Sequence, residues 1–215
     1  RPDYIIGAVS CVIWTLTLQT TLKYVIITLR ADNKGEGGIL SLYALIRKKY
    51  RWAYIIAAIG AAALLADGVI TPAMTVMSAI EGLNALEPSI PTIPITLAIV
   101  IALFLIQPLG TGSLGKYFGS IMVIWFTMML LLGANRLVCD FSVIKAFNPY
   151  YAIMFLIHVP QAMVILGAIF LCTTGAEALY SDLGHCGLKN IRISWIYIKF
   201  SLIVNYLGQA AYQYP

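Results

Sequence analysis

The stretch from Ala53 to Ile80 reads AYIIAAIGAAALLADGVITPAMTVMSAI, and it is apolar apart from one carboxylate, Asp67, and a few hydroxyls. An apolar run of about 20 residues is long enough to span the hydrocarbon core of a bilayer. A charge at that depth costs roughly 2.5 kcal/mol or more unless water, a cation or a partner compensates it. The stretch therefore predicts a transmembrane helix whose buried acid has a function.

The rest of the chain has the same apolar character. Hydrophobic residues make up 60% of the sequence and charged residues 11%, whereas soluble domains are about half apolar and about a quarter charged. We predict an all-α polytopic membrane protein with a single transmembrane domain over residues 1–215. The six expected spans are 4–29, 53–80, 92–109, 117–135, 150–180 and 193–213.

Basic residues between these runs predict the orientation, because Lys and Arg concentrate in cytoplasmic loops. If the first run exits to the cytoplasm, the inner loops contain Arg30, Lys34, Arg47, Lys48, Lys49, Arg51, Lys116, Lys189 and Arg192. The outer loops then contain only Arg1, Arg136 and Lys145. We therefore expect a multi-pass protein of the cell membrane, plasma or inner, with the N-terminus of this chain outside and a helix preceding it. The net charge of +5 reflects this loop bias, so nucleic acid is not an expected partner.

The loop 30–52 is the longest polar stretch. Within it, Ile39, Leu42, Tyr43 and Ile46 recur at helical spacing before a basic end. This pattern is typical of an amphipathic helix on the inner leaflet of the bilayer. A solvated basic loop explains the same residues equally well.

A second acid, Glu177, lies inside the run 150–180. Both acids have helix breakers beside them, and interrupted helices in transporters mark binding sites near the membrane midplane. We expect the interruptions at Asp67-Gly68 and Pro72 in one span, and at Gly167 and Thr173-Thr174-Gly175 in the other.

Helical spacing places oxygen-bearing side chains beside each acid, since residues three or four apart share a face. Such oxygens are ligands for a hard cation, and a buried carboxyl can also carry a proton. The predicted cation and proton sites are Asp67, Thr71, Thr75, Thr174, Glu177 and Tyr180.

Structural explanations compete with this interpretation. Threonines in membrane helices often bond their own backbone at i−4, and a lone buried acid can pair with Lys23 or Lys199. The threonines alone favour the structural explanation, whereas two acids beside helix breakers favour a function.

No organic cofactor is expected. The segment 110–115, GTGSLG, matches the dinucleotide pattern GxGxxG, but it joins two predicted spans and no acid follows at the distance that binds a ribose. We interpret it as a tight cytoplasmic turn.

Several separated blocks, in order, resemble the Kup/HAK/KT family of potassium uptake permeases. Similarity to the second helix and first loop of that family is seen in Ile13–Leu18, Leu22–Val25 and Arg30–Gly38. Similarity to its third helix is seen in Asp67–Ala73 and Ser78–Leu83. The match continues through Ala146–Ala152, Gly175–His185 and Asn205–Gln209.

The resemblance implies secondary-active uptake of potassium by symport with protons, in an inverted-repeat bundle of the amino-acid-permease, LeuT-like type. It also implies that Asp67 and Glu177 line the potassium and proton pathway, and that Thr71, Thr75 and Thr174 are hydroxyl positions that line it. The matched blocks correspond to helices two to seven. The family's first helix and C-terminal half are not among them, so we expect this chain to be part of a longer permease.

Other classes stay open at this point. A passive cation channel would be expected to contain a pore loop such as TVGYG, which the sequence lacks. An intramembrane enzyme would need Asp67 and Glu177 paired across a shared water. A fragment that does not transport alone is a further alternative, and a homo-oligomer is left open. We predict a transporter and not an enzyme, with potassium, protons and the lipid bilayer as partners.

Overall fold

A computed structural model of the protein describes residues 2–84, 89–106, 111–173, 175–176, 178–181 and 183–213. Most of these residues are in helices. Within the described ranges the strand-like pairing is confined to one isolated bridge, between Asn33 and Glu36. The prediction of an all-α protein is therefore confirmed.

The helices follow in this order: α1 Pro2–Thr15, a π-helix Leu16–Ile27, α2 Ile39–Ile46, α3 Ala53–Asn84, α4 Thr92–Ile106, α5 Thr111–Leu137, a 3-10 helix Phe141–Phe147, α6 Pro149–His158, α7 Ala162–Leu171, α8 Ala178–Ser181, α9 Leu183–Cys186 and α10 Leu188–Gln213. Among the described residues, three stretches are long and apolar enough to cross a membrane: Tyr4–Arg30, Ala53–Leu83 and Tyr117–Leu137.

Helix α3 is continuous, so the predicted interruption at Asp67-Gly68 and Pro72 is wrong. Pro72 lies inside the helix. A proline removes one backbone hydrogen bond, to the carbonyl of Gly68, but membrane helices tolerate this loss because neighbouring groups satisfy the freed carbonyl. The sequence shows that Pro72 has no backbone N–H to donate, but it does not show whether the helix continues past Pro72.

The region predicted as one interrupted span, 150–180, consists of α6, α7 and α8. Gly167 lies within α7 and does not interrupt it. The first break is at Val159, whose extended backbone (φ −93°, ψ 117°) follows from the proline after it. The second break includes Thr173 and Gly175, as predicted, and Gly175 has a positive φ of 87°.

Two loop predictions also change. The amphipathic helix expected within the loop 30–52, from Gly38 to Trp52, is a short helix, α2, that ends at Ile46. The glycine-rich segment expected as a turn is helical over 111–115, since α5 begins at Thr111. Gly110 lies outside the described residues.

The chain forms two compact units, Arg1–Leu45 with Ile121–Pro215, and Ile46–Ser120. In the first unit, α1 packs on α6, and Phe155 closes onto Gly7, where a Cβ would lie 2.6 Å from the Cβ of Phe155. The Ser10 hydroxyl donates to the carbonyl of Asn148 at 3.0 Å, and the Trp14 indole donates to that of Phe147 at 3.1 Å. These bonds join α1 to the residues that lead into α6.

The second unit contains α3, which packs against α4. Helix α4 buries none of its side chains within the described structure, and Leu65 on α3 and Ile93 on α4 are each 75% exposed. Soluble proteins rarely expose contiguous apolar surfaces of this kind, whereas a bilayer covers them.

Candidate cation pathway

The first part of the candidate site is a polar stripe on α3. Asp67, Thr71 and Thr75 follow at four-residue spacing, so the helix stacks them on one face. Asp67 and Thr71 are half-buried and Thr75 is exposed. The residues around them are apolar and form an ordinary helix, so the position of the carboxylate is fixed by local geometry.

Hydrogen bonds connect these three residues. The Thr71 hydroxyl donates to the Asp67 carboxylate, with 2.7 Å between Oγ1 and Oδ1. The Thr75 hydroxyl donates to the backbone carbonyl of Thr71, also at 2.7 Å. Thr75 thus makes the i−4 backbone bond of the structural explanation, whereas Thr71 bonds the acid.

The direction of the first bond has a chemical consequence. A hydroxyl has one proton and two lone pairs. Because the Thr71 proton points at the carboxylate, its lone pairs are available to a cation. One carboxylate and one hydroxyl oxygen, 2.7 Å apart, form part of a ligand set that a hard cation such as K⁺ accepts.

Pro72 adds a further oxygen near this pair. In an α-helix the carbonyl of Gly68 would accept from the backbone nitrogen of residue 72, but proline has no N–H. At Gly68 itself, a Cβ would meet no atom within 4 Å. The Gly68 carbonyl, beside Asp67, therefore lacks its usual donor within the helix.

Of the second predicted group, Thr174 and Glu177 lie outside the described residues. Tyr180 is described and is 3% exposed. Its hydroxyl donates to the carbonyl of Ala31, in the loop that follows the first helical stretch.

Close packing holds this loop against the helices around Tyr180. A Cβ at Gly37 would lie 1.9 Å from the Tyr180 carbonyl oxygen, so only glycine fits there. A Cβ at Gly184 would lie 2.4 Å from the Glu36 carboxylate. The contact with Gly37 and the bond to Ala31 give Tyr180 an anchoring role. Its place in a cation or proton pathway stays a prediction.

Thr20 is a buried polar residue outside the predicted sites. This residue is 2% exposed, and among the described residues its hydroxyl has no hydrogen-bond partner. It lies in the π-helix Leu16–Ile27. The signal in the sequence was the polar triplet Gln19-Thr20-Thr21 in the middle of an apolar run.

Comparison with known proteins identifies the family. The profile of the "K+ potassium transporter integral membrane domain" matches residues 1–214. The chain is 59% identical over 215 residues to "Probable potassium transport system protein Kup" of Cytophaga hutchinsonii, an alignment that covers 98% of this chain and 33% of that protein. It is 55% identical over 213 residues to the protein of the same name from Flavobacterium psychrophilum, with 99% and 33% covered.

The chain thus spans about a third of the length of these relatives. No solved structure matches it. A profile match across almost the whole chain, together with identities above 50%, confirms the resemblance found in the sequence blocks. The chain belongs to the K+ potassium transporter family of integral membrane proteins.

Proposed function

We propose that this chain forms part of a permease for secondary-active potassium uptake, in which potassium enters together with protons. Family membership supports the potassium substrate, since the relatives carry potassium transport in their names. The observation that carries the proposal is the bond between Thr71 and Asp67 on an apolar helix, because it combines a hard ligand set with a titratable group.

In this proposal Asp67 supplies the charge that replaces part of the hydration shell of potassium, and Thr71 and Thr75 supply neutral oxygens along the same face. Thr174 and Glu177 complete the pathway, as the resemblance implies. Because potassium and a proton enter together, both must be bound at the same time, so in this proposal one of the two carboxylates, Asp67 or Glu177, binds potassium while the other carries the proton.

The proposal includes a LeuT-like inverted-repeat architecture in the cell membrane, with the N-terminus of this chain outside. The breaks at Val159 and around Gly175 support the architecture, because discontinuous helices form the midplane sites of such transporters. The nine-to-three distribution of basic residues between alternate loops supports the orientation.

Uptake of rubidium by proteoliposomes that contain the full-length gene product tests the proposal. An inward proton gradient should drive rubidium above its equilibrium level, and a protonophore should abolish this accumulation. Rapid uptake that only equilibrates rubidium and ignores the protonophore would instead indicate a passive cation channel. Absence of any uptake by correctly folded protein would contradict a potassium permease.

A further inference from the structure

A cavity of about 200 Å³ lies in the first unit, beside the break between α7 and α8. The π-helix contributes Leu16 and Thr20, α10 contributes Trp195, and the break contributes Thr173 and Gly175. None of these residues belongs to the polar stripe of α3, so the inference does not depend on the proposed function.

The π-helix explains why Thr20 has a free hydroxyl. Threonine hydroxyls in helices usually donate to the carbonyl four residues earlier, as Thr17 does to Ile13 at 2.8 Å. In the wider π register, Thr21 donates to the Leu16 carbonyl, five residues earlier, at 3.2 Å. The Leu16 carbonyl, four residues before Thr20, therefore already accepts from another hydroxyl.

Thr21 also accepts the indole N–H of Trp195 at 3.0 Å, so these two groups satisfy each other. Thr20 lines the cavity without such a partner in the described part of the chain. A buried hydroxyl without a partner is costly, and inside a membrane the cost is not relieved by bulk water.

Water fits this cavity in both size and chemistry. A water molecule occupies about 30 Å³ of the liquid and needs two to four polar partners. The Thr20 hydroxyl can donate and accept. The Thr173 hydroxyl donates to the Phe170 carbonyl at 2.8 Å, which leaves its lone pairs as acceptors.

We propose that this cavity is a hydration site, in which the hydroxyls of Thr20 and Thr173 bind water close to the middle of the span Tyr4–Arg30 and beside the break after α7. Water in this site would hydrate the break after α7 on the side that faces the π-helix. π-Helical segments are rare and often accompany functional sites. A hydration site at Thr20 would explain why Leu16–Ile27 adopts the π register.

Radiolytic hydroxyl-radical labelling of the full-length gene product in lipid nanodiscs tests this site, because bound water generates radicals next to buried side chains. Trp195 is the reporter, since it lines the cavity and is 7% exposed. Cys11 is the internal reference, since it is 3% exposed, does not line the cavity and belongs to an easily oxidised residue type.

Trp195 should be oxidised at least threefold faster than Cys11. Thr20→Val should remove most of this excess, whereas Thr20→Ser should keep it. Thr17→Val is the matched control, because Thr17 already bonds the backbone. A Trp195 rate as low as that of Cys11 in the unmodified protein would overturn the proposal by showing a dry cavity, whether or not the variants fold. Equal fast rates in Thr20→Val and Thr20→Ser would overturn the role of Thr20.

Discussion

Thr71 donates its single hydroxyl proton to Asp67, and this fixes the direction in which its lone pairs point. We expect Thr71→Val, which keeps the shape but removes the oxygen, to raise the KM for rubidium roughly tenfold or more. The loss of one ligand to a charged partner is worth about 1.5–3 kcal/mol, and about 1.4 kcal/mol corresponds to tenfold in affinity. Thr71→Ser keeps the oxygen and should stay near the unmodified KM. An unchanged KM in Thr71→Val would remove Thr71 from the pathway.

Asp140 offers a pH test away from the membrane-spanning helices. Its side chain caps the 3-10 helix Phe141–Phe147, and hydrogen bonds from the Ser142 hydroxyl and backbone N–H hold its pKa below the ordinary value of 3.8. A carboxylate with a lowered pKa stabilises the fold above its unfolded pKa, and this contribution is lost as the pH falls through the folded pKa.

The matched variant is Asp140→Asn, which can still cap but cannot titrate. Between pH 7 and pH 3, the Tm of the unmodified protein in detergent should fall more steeply below about pH 4 than that of the variant, since 3.9 is the usual Asp pKa. Parallel curves for the two proteins across that range would show that Asp140 does not contribute through its charge.

At the scale of elements, α5 and α10 touch through their backbones. A Cβ at Gly133 would lie 2.6 Å from the Cα of Asn205, and one at Gly208 would lie 2.6 Å from the Cα of Gly133. We expect Gly133→Ala to separate the helices and to destabilise the protein by about 1–3 kcal/mol, the usual cost of overpacking. Thermal unfolding in detergent measures this.

Gly167→Ala is the control for that substitution, because Gly167 lies inside α7 and a Cβ there would meet nothing within 4 Å. Its Tm should be unchanged or raised, since alanine is the better helix former. Equal changes in Tm for the two alanine variants would show that Gly133 is not required for close backbone contact between α5 and α10.

The sequence could predict contacts between residues that are close along the chain, but not contacts between residues that are far apart along it. The Asp67 and Thr71 pair followed from four-residue spacing, because a helix fixes that geometry locally. The bond from Tyr180 to Ala31 joins residues 149 positions apart, so periodicity gave no sign of it. The continuous path of α3 through Pro72 and the π register around Thr20 were equally hidden, because each depends on how neighbouring elements satisfy freed backbone groups.

On the scale of the whole molecule, orientation in the membrane is the property most open to a direct test. Cys139 and Cys186 are exposed in the loops that strict alternation places on opposite sides of the membrane, whereas Cys11 is buried. In intact cells, a membrane-impermeant maleimide should label Cys139 and spare Cys186, and lysis should expose Cys186. Cys139→Ser and Cys186→Ser variants assign each signal. Labelling of Cys186 alone before lysis would reverse the proposed orientation.

Proton-driven rubidium uptake by the full-length gene product tests the role of Asp67 most directly. The Asp67→Asn variant is compared with Glu81→Gln as the control. Asparagine keeps the shape of the side chain and a hydrogen-bond acceptor for Thr71, but it removes the charge that compensates a cation. Glu81 lies on the same helix and is exposed. We predict at least a tenfold loss of uptake in Asp67→Asn and near-normal uptake in Glu81→Gln. Equal, mild effects in the two variants would contradict the claim that Asp67 belongs to the cation pathway.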